Sequence, residues 1–264
     1  MELKALSEEI ISDESEAGRK RSLEKLYREL EKAKGYRRST LGKTKYGPVY
    51  FFEEAERKEG KKDVLLLGGL HPFCEAATTV SVVHAMRERH DYNLHAVPLV
   101  SPWAFVAPVR NRRHLKQYDG DEASKIKQYR DVNYHDIVNL EEVGNITLYG
   151  SAMDMERLTK ISGHGFDLAA ECHMDYERGN TSLHATYAPT YRVGFLLSVV
   201  SPKDFTAAIE EAMWLRTHMD TATEVGKGRN DFLLNEGGVT AVLETDPDDI
   251  TLLKRFVDVL VRHF

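Results

Sequence analysis

Two histidines and two glutamates stand where strands end in this sequence, and their types suit hydrolysis at a metal. His71 and Glu75 lie in "VLLLGGLHPFCEAATT", just beyond an oily run closed by two glycines. They are four residues apart, one helical turn, so both can face one point. His173 follows another apolar run in "DLAAECHMD", and Glu244 closes a third in "VTAVLETD". Two imidazoles and a carboxylate with one open position make a hydrolytic zinc site, in which the pKa of bound water falls to about 7. The first choice of ligands is therefore His71, Glu75 and His173. Glu244 is the carboxylate to take the water's proton, because Thr245 and Asp246 already serve as helix-cap residues. An arginine would stabilise the oxyanion, and "RNRRH" (Arg110 to His114) is the dense basic spot.

Each of these residues also has a plain structural reading. Eleven histidines are present, and His84, His90, His95, His114, His218 and His263 are read as ordinary. His135, His164 and His184 stay open as alternative ligands. Glu75 could be an acid in a helix's first turn, which the dipole favours. Glu244 could be a solvated strand-end acid, and Arg110, Arg112 and Arg113 a solvated loop. Joint placement, not any single residue, points to a metal site.

The elements that must position these groups follow from periodicity. Residues 16–34 show Leu23, Leu26, Tyr27 and Leu30 at helical spacing, with Gly35 as the stop. Strands are expected around "YRRSTLG" and "GPVYFFEEA", then "DVLLLGG" as a two-sided buried strand. A helix over 75–90, a strand in "NLHAVPLV" and a long polar loop from Ser101 to about Gly120 come next. Residues 151–162 read as helix, "FDLAAEC" as strand, 203–219 as helix and "GGVTAVLE" as the last strand. A closing helix then has Asp246 as its cap and Pro247 next. The alternation predicts an α/β fold: one domain, residues 1–264, with a mainly parallel mixed sheet flanked by helices on both faces. Residues 1–35 are expected as a helical segment packed on it. Ligands bind such sheets outside the carboxyl ends of strands, where His71, His173, Glu244 and the arginine run all fall.

Composition removes other functions. The chain has 264 residues, is 42% hydrophobic and carries a formal charge of -6, which disfavours nucleic acid as a partner. No apolar run reaches membrane-spanning length. The N-terminus carries acids where a secretory signal would carry cations, so a cytoplasmic protein is expected. Two cysteines, Cys74 and Cys172, are no disulfide framework. "GGLHPFCEA" has neither a Gly-x-x-x-x-Gly-Lys phosphate loop nor a Gly-x-Gly-x-x-Gly fingerprint.

The segments "GGLHPFCEA", "SPWAFVAPVRNRR", "RDVNYHD", "LAAECHMDY" and "VTAVLETD" stand in that order. They resemble the zinc carboxypeptidase family, which includes aspartoacylase and succinylglutamate desuccinylase. The resemblance runs from about residue 38 to the C-terminus and includes "LGKTKYGPVYFFE" as the opening hairpin. It implies a zinc carboxypeptidase-like fold and zinc held by His71, Glu75 and His173. Glu244 would be general base and then proton shuttle. By the same resemblance Arg110, nine residues after Ser101, polarises the scissile carbonyl, and Asn133 helps hold a substrate carboxylate.

Three departures stand out. The spacing His-x-x-x-Glu is one residue longer than the family's and puts Cys74 at the strict ligand position, making it the reserve ligand. Tyr134 stands where an arginine should fork onto a substrate carboxylate; Arg113, Arg130, Arg178 or Arg192 would have to replace it. No tyrosine stands at the family's distance before the base, leaving Tyr187 or Tyr191 as substitutes. The expected activity is zinc-dependent cleavage of a peptide or amide bond, carboxypeptidase-like. The alternative is deacylation of small N-acyl-amino acids. The chain ends about twenty residues after Glu244, which leaves no room for the extra β domain of aspartoacylase-like enzymes and favours the peptidase. The missing arginine at Tyr134 disfavours it. A third alternative, from another class, is a binding protein with a degenerate site.

Overall fold

The computed structural model describes residues 2–13, 15–44, 46–70, 77–106, 157–174, 183–187, 193–198, 233–245 and 249–263. Among the described residues, eight strands form one mixed sheet: β1 (Tyr36–Thr44), β2 (Gly47–Glu54), β3 (Asp63–Leu67), β4 (Asn93–Val97), β5 (Phe166–Met174), β6 (Leu183–Tyr187), β7 (Val193–Ser198) and β8 (Leu234–Thr245). Their order is β1-β2-β4-β3-β5-β8-β7-β6. The middle run, β4-β3-β5-β8-β7, is parallel throughout. The β1–β2 hairpin closes one edge antiparallel, and β6 closes the other. This is the mainly parallel α/β sheet expected.

Every residue of β3, "DVLLL", is buried, because the strand is covered on both faces. Alternate residues divide between two cores. Val64, Leu66, Leu168, Ala170, Cys172, Ala241 and Leu243 feed the first. Leu65, Leu67, Phe166 and Ala169 feed the second. Helices α1 (Leu3–Ser12), α2 (Glu16–Glu31), α3 (Thr78–Arg87), the short α4 (Pro102–Val106) and α5 (Leu252–His263) all contribute to the first core. No described helix is long and apolar enough to cross a membrane.

The helix expected over 16–34 is α2, capped by the Ser15 hydroxyl accepting from Gly18 N–H at 3.0 Å. Ahead of it lies α1, within the helical segment expected over residues 1–35; Leu3, Leu6 and Ile10 anchor it in the core. The loop expected from Ser101 opens instead with α4. β6 and β7 were not foreseen: β6, "LHATY", alternates but is only five residues long, and the short apolar run of β7, without alternation, does not distinguish strand from helix. The closing helix begins at Leu252, later than an Asp246 cap implies. Asp249 sets the start: its carboxylate accepts from Thr251 N–H at 2.9 Å and from the Thr251 hydroxyl at 2.6 Å. The helix expected over 203–219 and the first half of that over 151–162 lie outside the described residues; of the second half, 157–159 are helical.

His95 is a buried residue of β4, as its ordinary reading implies. Its Nε2 is 3.1 Å from Asp63 Oδ1, and Phe51 stacks on its ring. Its Nδ1 is buried and meets no partner among the described residues. Adding a proton there would bury an unanswered N–H, so burial pushes the ring below its ordinary pKa even though Asp63 pulls the other way. Burial lowers His84 as well. Both rings are then neutral in the fold at pH values where the unfolded chain already protonates them. Stability from this source is complete above about pH 6.5 and is lost as pH falls below it. The urea midpoint is expected to be lower at pH 5.5 than at pH 7.5, and His95→Gln, which can still donate to Asp63, should narrow that difference. An unchanged pH dependence in His95→Gln would remove His95 as its source.

Candidate active site

Strand β5 lies between β3 and β8, all three parallel, so their carboxyl ends open on one rim. Each brings one expected element of the site. The β3 end leads through Gly68, Gly69 and Leu70 toward His71. His173 is the penultimate residue of β5, and Glu244 the penultimate residue of β8. His173 and Glu244 are register partners across the β5–β8 ladder. On β3's side, Leu67 pairs with Glu171 of β5.

The two glycines ending β3 have a steric cause. Gly69 has φ +58, and a Cβ there would lie 2.6 Å from both Leu99 Cδ1 and Thr79 Oγ1. A Cβ on Gly68 would lie 2.9 Å from the Pro98 carbonyl oxygen. The chain leaving β3 presses against the chain leaving β4. Val100 N–H donates to Gly68 O and Ser101 N–H to Gly69 O, both at 3.0 Å. Gly69 N–H donates to the Thr78 hydroxyl at 2.9 Å. The run-up to His71 is thereby pinned between the β4 exit and the start of α3.

His173 is buried, and its Nε2 lies 2.8 Å from Glu171 Oε2, also buried. Glu171 is absent from the residues singled out above. Its signal was a lone acid within an apolar strand, since glutamate is rarely buried unless paired. With Nε2 turned to Glu171, Nδ1 is the nitrogen that would take a metal. His173 fits an imidazole donor, buried at the carboxyl end of a parallel strand with its ring oriented by a carboxyl group.

His71, Cys74, Glu75, Arg110, Arg113, Arg130, Asn133, Tyr134, His135, Arg178, Tyr191 and Arg192 lie outside the described residues, and Glu244 is described in its backbone. Among the described residues no three metal-binding side chains converge. Two open alternatives are placed far from His173. His164, in the turn before β5, stacks on Phe166 at the strand's other end, roughly 23 Å from His173 at a strand's usual rise. His184 stands on β6, three strands from β5, or about 14 Å at the usual spacing. Neither shares a metal with His173 at such separations.

By sequence, the chain matches no family model and no curated protein. By structure it is similar to a candidate metallopeptidase from Shewanella denitrificans OS217, with 14% identity, TM-score 0.50, and coverage of 92% of this chain and 87% of that one. A metallo-carboxypeptidase from Pseudomonas aeruginosa aligns at 13% identity and TM-score 0.47, over 90% of this chain and 68% of that one. The murein-tripeptide amidase MpaA from Escherichia coli O157 aligns at 13% identity and TM-score 0.42, over 85% and 91%. At such identity the first similarity speaks for the fold alone. The chain has a carboxypeptidase-like α/β fold.

Proposed function

We propose that this protein is a zinc-dependent hydrolase of peptide or amide bonds, acting as a carboxypeptidase-like enzyme within a single domain of residues 1–264. The observation that carries the reading is the register pairing of buried His173 with Glu244, beside the strand exit that leads to His71. His71, Glu75 and His173 would hold the metal. Zinc, when bound, supplies Lewis acidity and lowers the pKa of water to about 7.

The chain's own residues do the rest. Glu244 takes the proton of the attacking water and passes it to the leaving amine. Arg110 stabilises the charge growing on the carbonyl oxygen. Asn133, with Arg113 or Arg130, grips a substrate carboxylate, and Tyr191 serves in substrate binding. The carboxypeptidase and murein-amidase names among the structural neighbours suggest peptides or acyl-amino acids as substrates to try.

Metal content by elemental analysis tests the proposal, on wild type and His173→Ala prepared without added metal. Near one zinc per chain in wild type and its loss in the variant are expected. A wild type that carries no zinc and takes none up would overturn the hydrolase and leave the rim a binding surface. Blocked peptides screened against N-acyl-amino acids then separate peptidase from deacylase.

A further inference from the structure

Strand β5 carries two ionisable side chains near the end of an apolar run, Glu171 and His173, only 3% and 4% exposed. Two residues apart, they share one face of the strand. Cys172 between them belongs to the first core, and Ala169 on their side to the second. Polar pairs in such a place contribute little to stability, since apolar residues of similar volume often replace them without loss. Their position is therefore informative. The pair sits where β5 meets the exit of β3 on one side and Glu244 on the other.

We infer, on the basis of the zinc-hydrolase reading, that Glu171 is a positioning residue for the metal. Its carboxylate accepts a hydrogen bond from His173 Nε2–H across the observed 2.8 Å. That bond holds the imidazole in its Nε2-protonated tautomer and turns Nδ1 toward the metal. The negative charge also makes the ring a stronger donor. A metal-binding imidazole ordinarily has such a carboxyl partner, and losing it weakens metal affinity about 10- to 100-fold. In this role Glu171 acts on the metal through His173.

The probe is zinc itself, titrated into metal-stripped wild type, Glu171→Gln and His173→Ala in competition with a chromophoric chelator. Circular dichroism and thermal midpoints check each fold. Glu171→Gln keeps the size and a hydrogen-bond acceptor but not the charge. It is expected to bind zinc about 10- to 100-fold more weakly than wild type, with His173→Ala weaker still. If Glu171→Gln binds zinc like wild type while His173→Ala does not, the positioning role is wrong and the zinc reading stands. If His173→Ala also binds like wild type, the zinc site itself is misassigned. Should the Glu171 variant fail to fold, wild type answers alone. Long-range proton–nitrogen spectra of histidine-labelled protein, assigned by the signal missing in His173→Ala, should show Nε2 protonated. Protonation at Nδ1 instead would overturn the inference.

Discussion

Glu244→Gln is expected to lower kcat on the preferred peptide or acyl-amino acid by about 10²- to 10⁴-fold, the usual contribution of a positioned general base. Glutamine keeps the size and can hydrogen-bond, but it cannot accept a proton at neutral pH. Glu244 is not among the proposed ligands, so zinc content should stay at the wild-type level. The two readouts together separate base from ligand. Loss of turnover with zinc retained supports the base; loss of both makes Glu244 a ligand. A variant with wild-type turnover removes Glu244 from the chemistry. The structural basis is the β5–β8 ladder, which pairs positions 173 and 244 directly, about 4.8 Å apart at the usual strand spacing.

Truncating Phe256 to alanine is expected to destabilise the protein by about 3–5 kcal/mol, the range for removing a buried aromatic ring. Against a typical total of about 5–15 kcal/mol, that is a large share. Phe256 is fully buried on α5, with Leu252, Leu253, Val257 and Leu260 around it in the first core. The same core holds Cys172 and Leu243, the residues immediately before His173 and Glu244. Helix α5 therefore backs the two strands that carry the site, and loosening it should also weaken zinc binding. Urea unfolding of Phe256→Ala against Arg255→Ala checks this. Arg255 is exposed, with Asp249 at 3.8 Å, and its removal should change stability by no more than about 0.5 kcal/mol. Equal effects of the two substitutions would mean that α5 is not docked through Phe256.

Much of the fold is legible along the chain because its signals are local. The apolar run "VLLL" closed by two glycines fits a strand covered on both faces, and the leucines of α2 recur at the spacing of one helical face. The signals fail where two periods read alike or where a competing cap lies nearby. The short, mostly apolar run of β7 does not say strand or helix, and Asp249 rather than Asp246 starts α5 because its carboxylate reaches the backbone two residues on. Gly68 and Gly69 are visible as a strand stop, but their necessity comes from Pro98, Leu99 and Thr79, which local sequence does not bring close.

The sequence by itself determined which residue types stand at which strand ends: His173 after "DLAAEC" and Glu244 after "VTAVL". Only the tertiary structure decided that β5 and β8 are neighbours with these two residues in register, although about sixty residues separate the strands along the chain. Strand pairing is non-local, and nothing in a strand's own residues names its partner. The Glu171–His173 bond has the same origin. In sequence Glu171 is one acid in an apolar run. Burial of β5 between β3 and β8 takes it away from water, and its carboxyl group meets the imidazole two residues on.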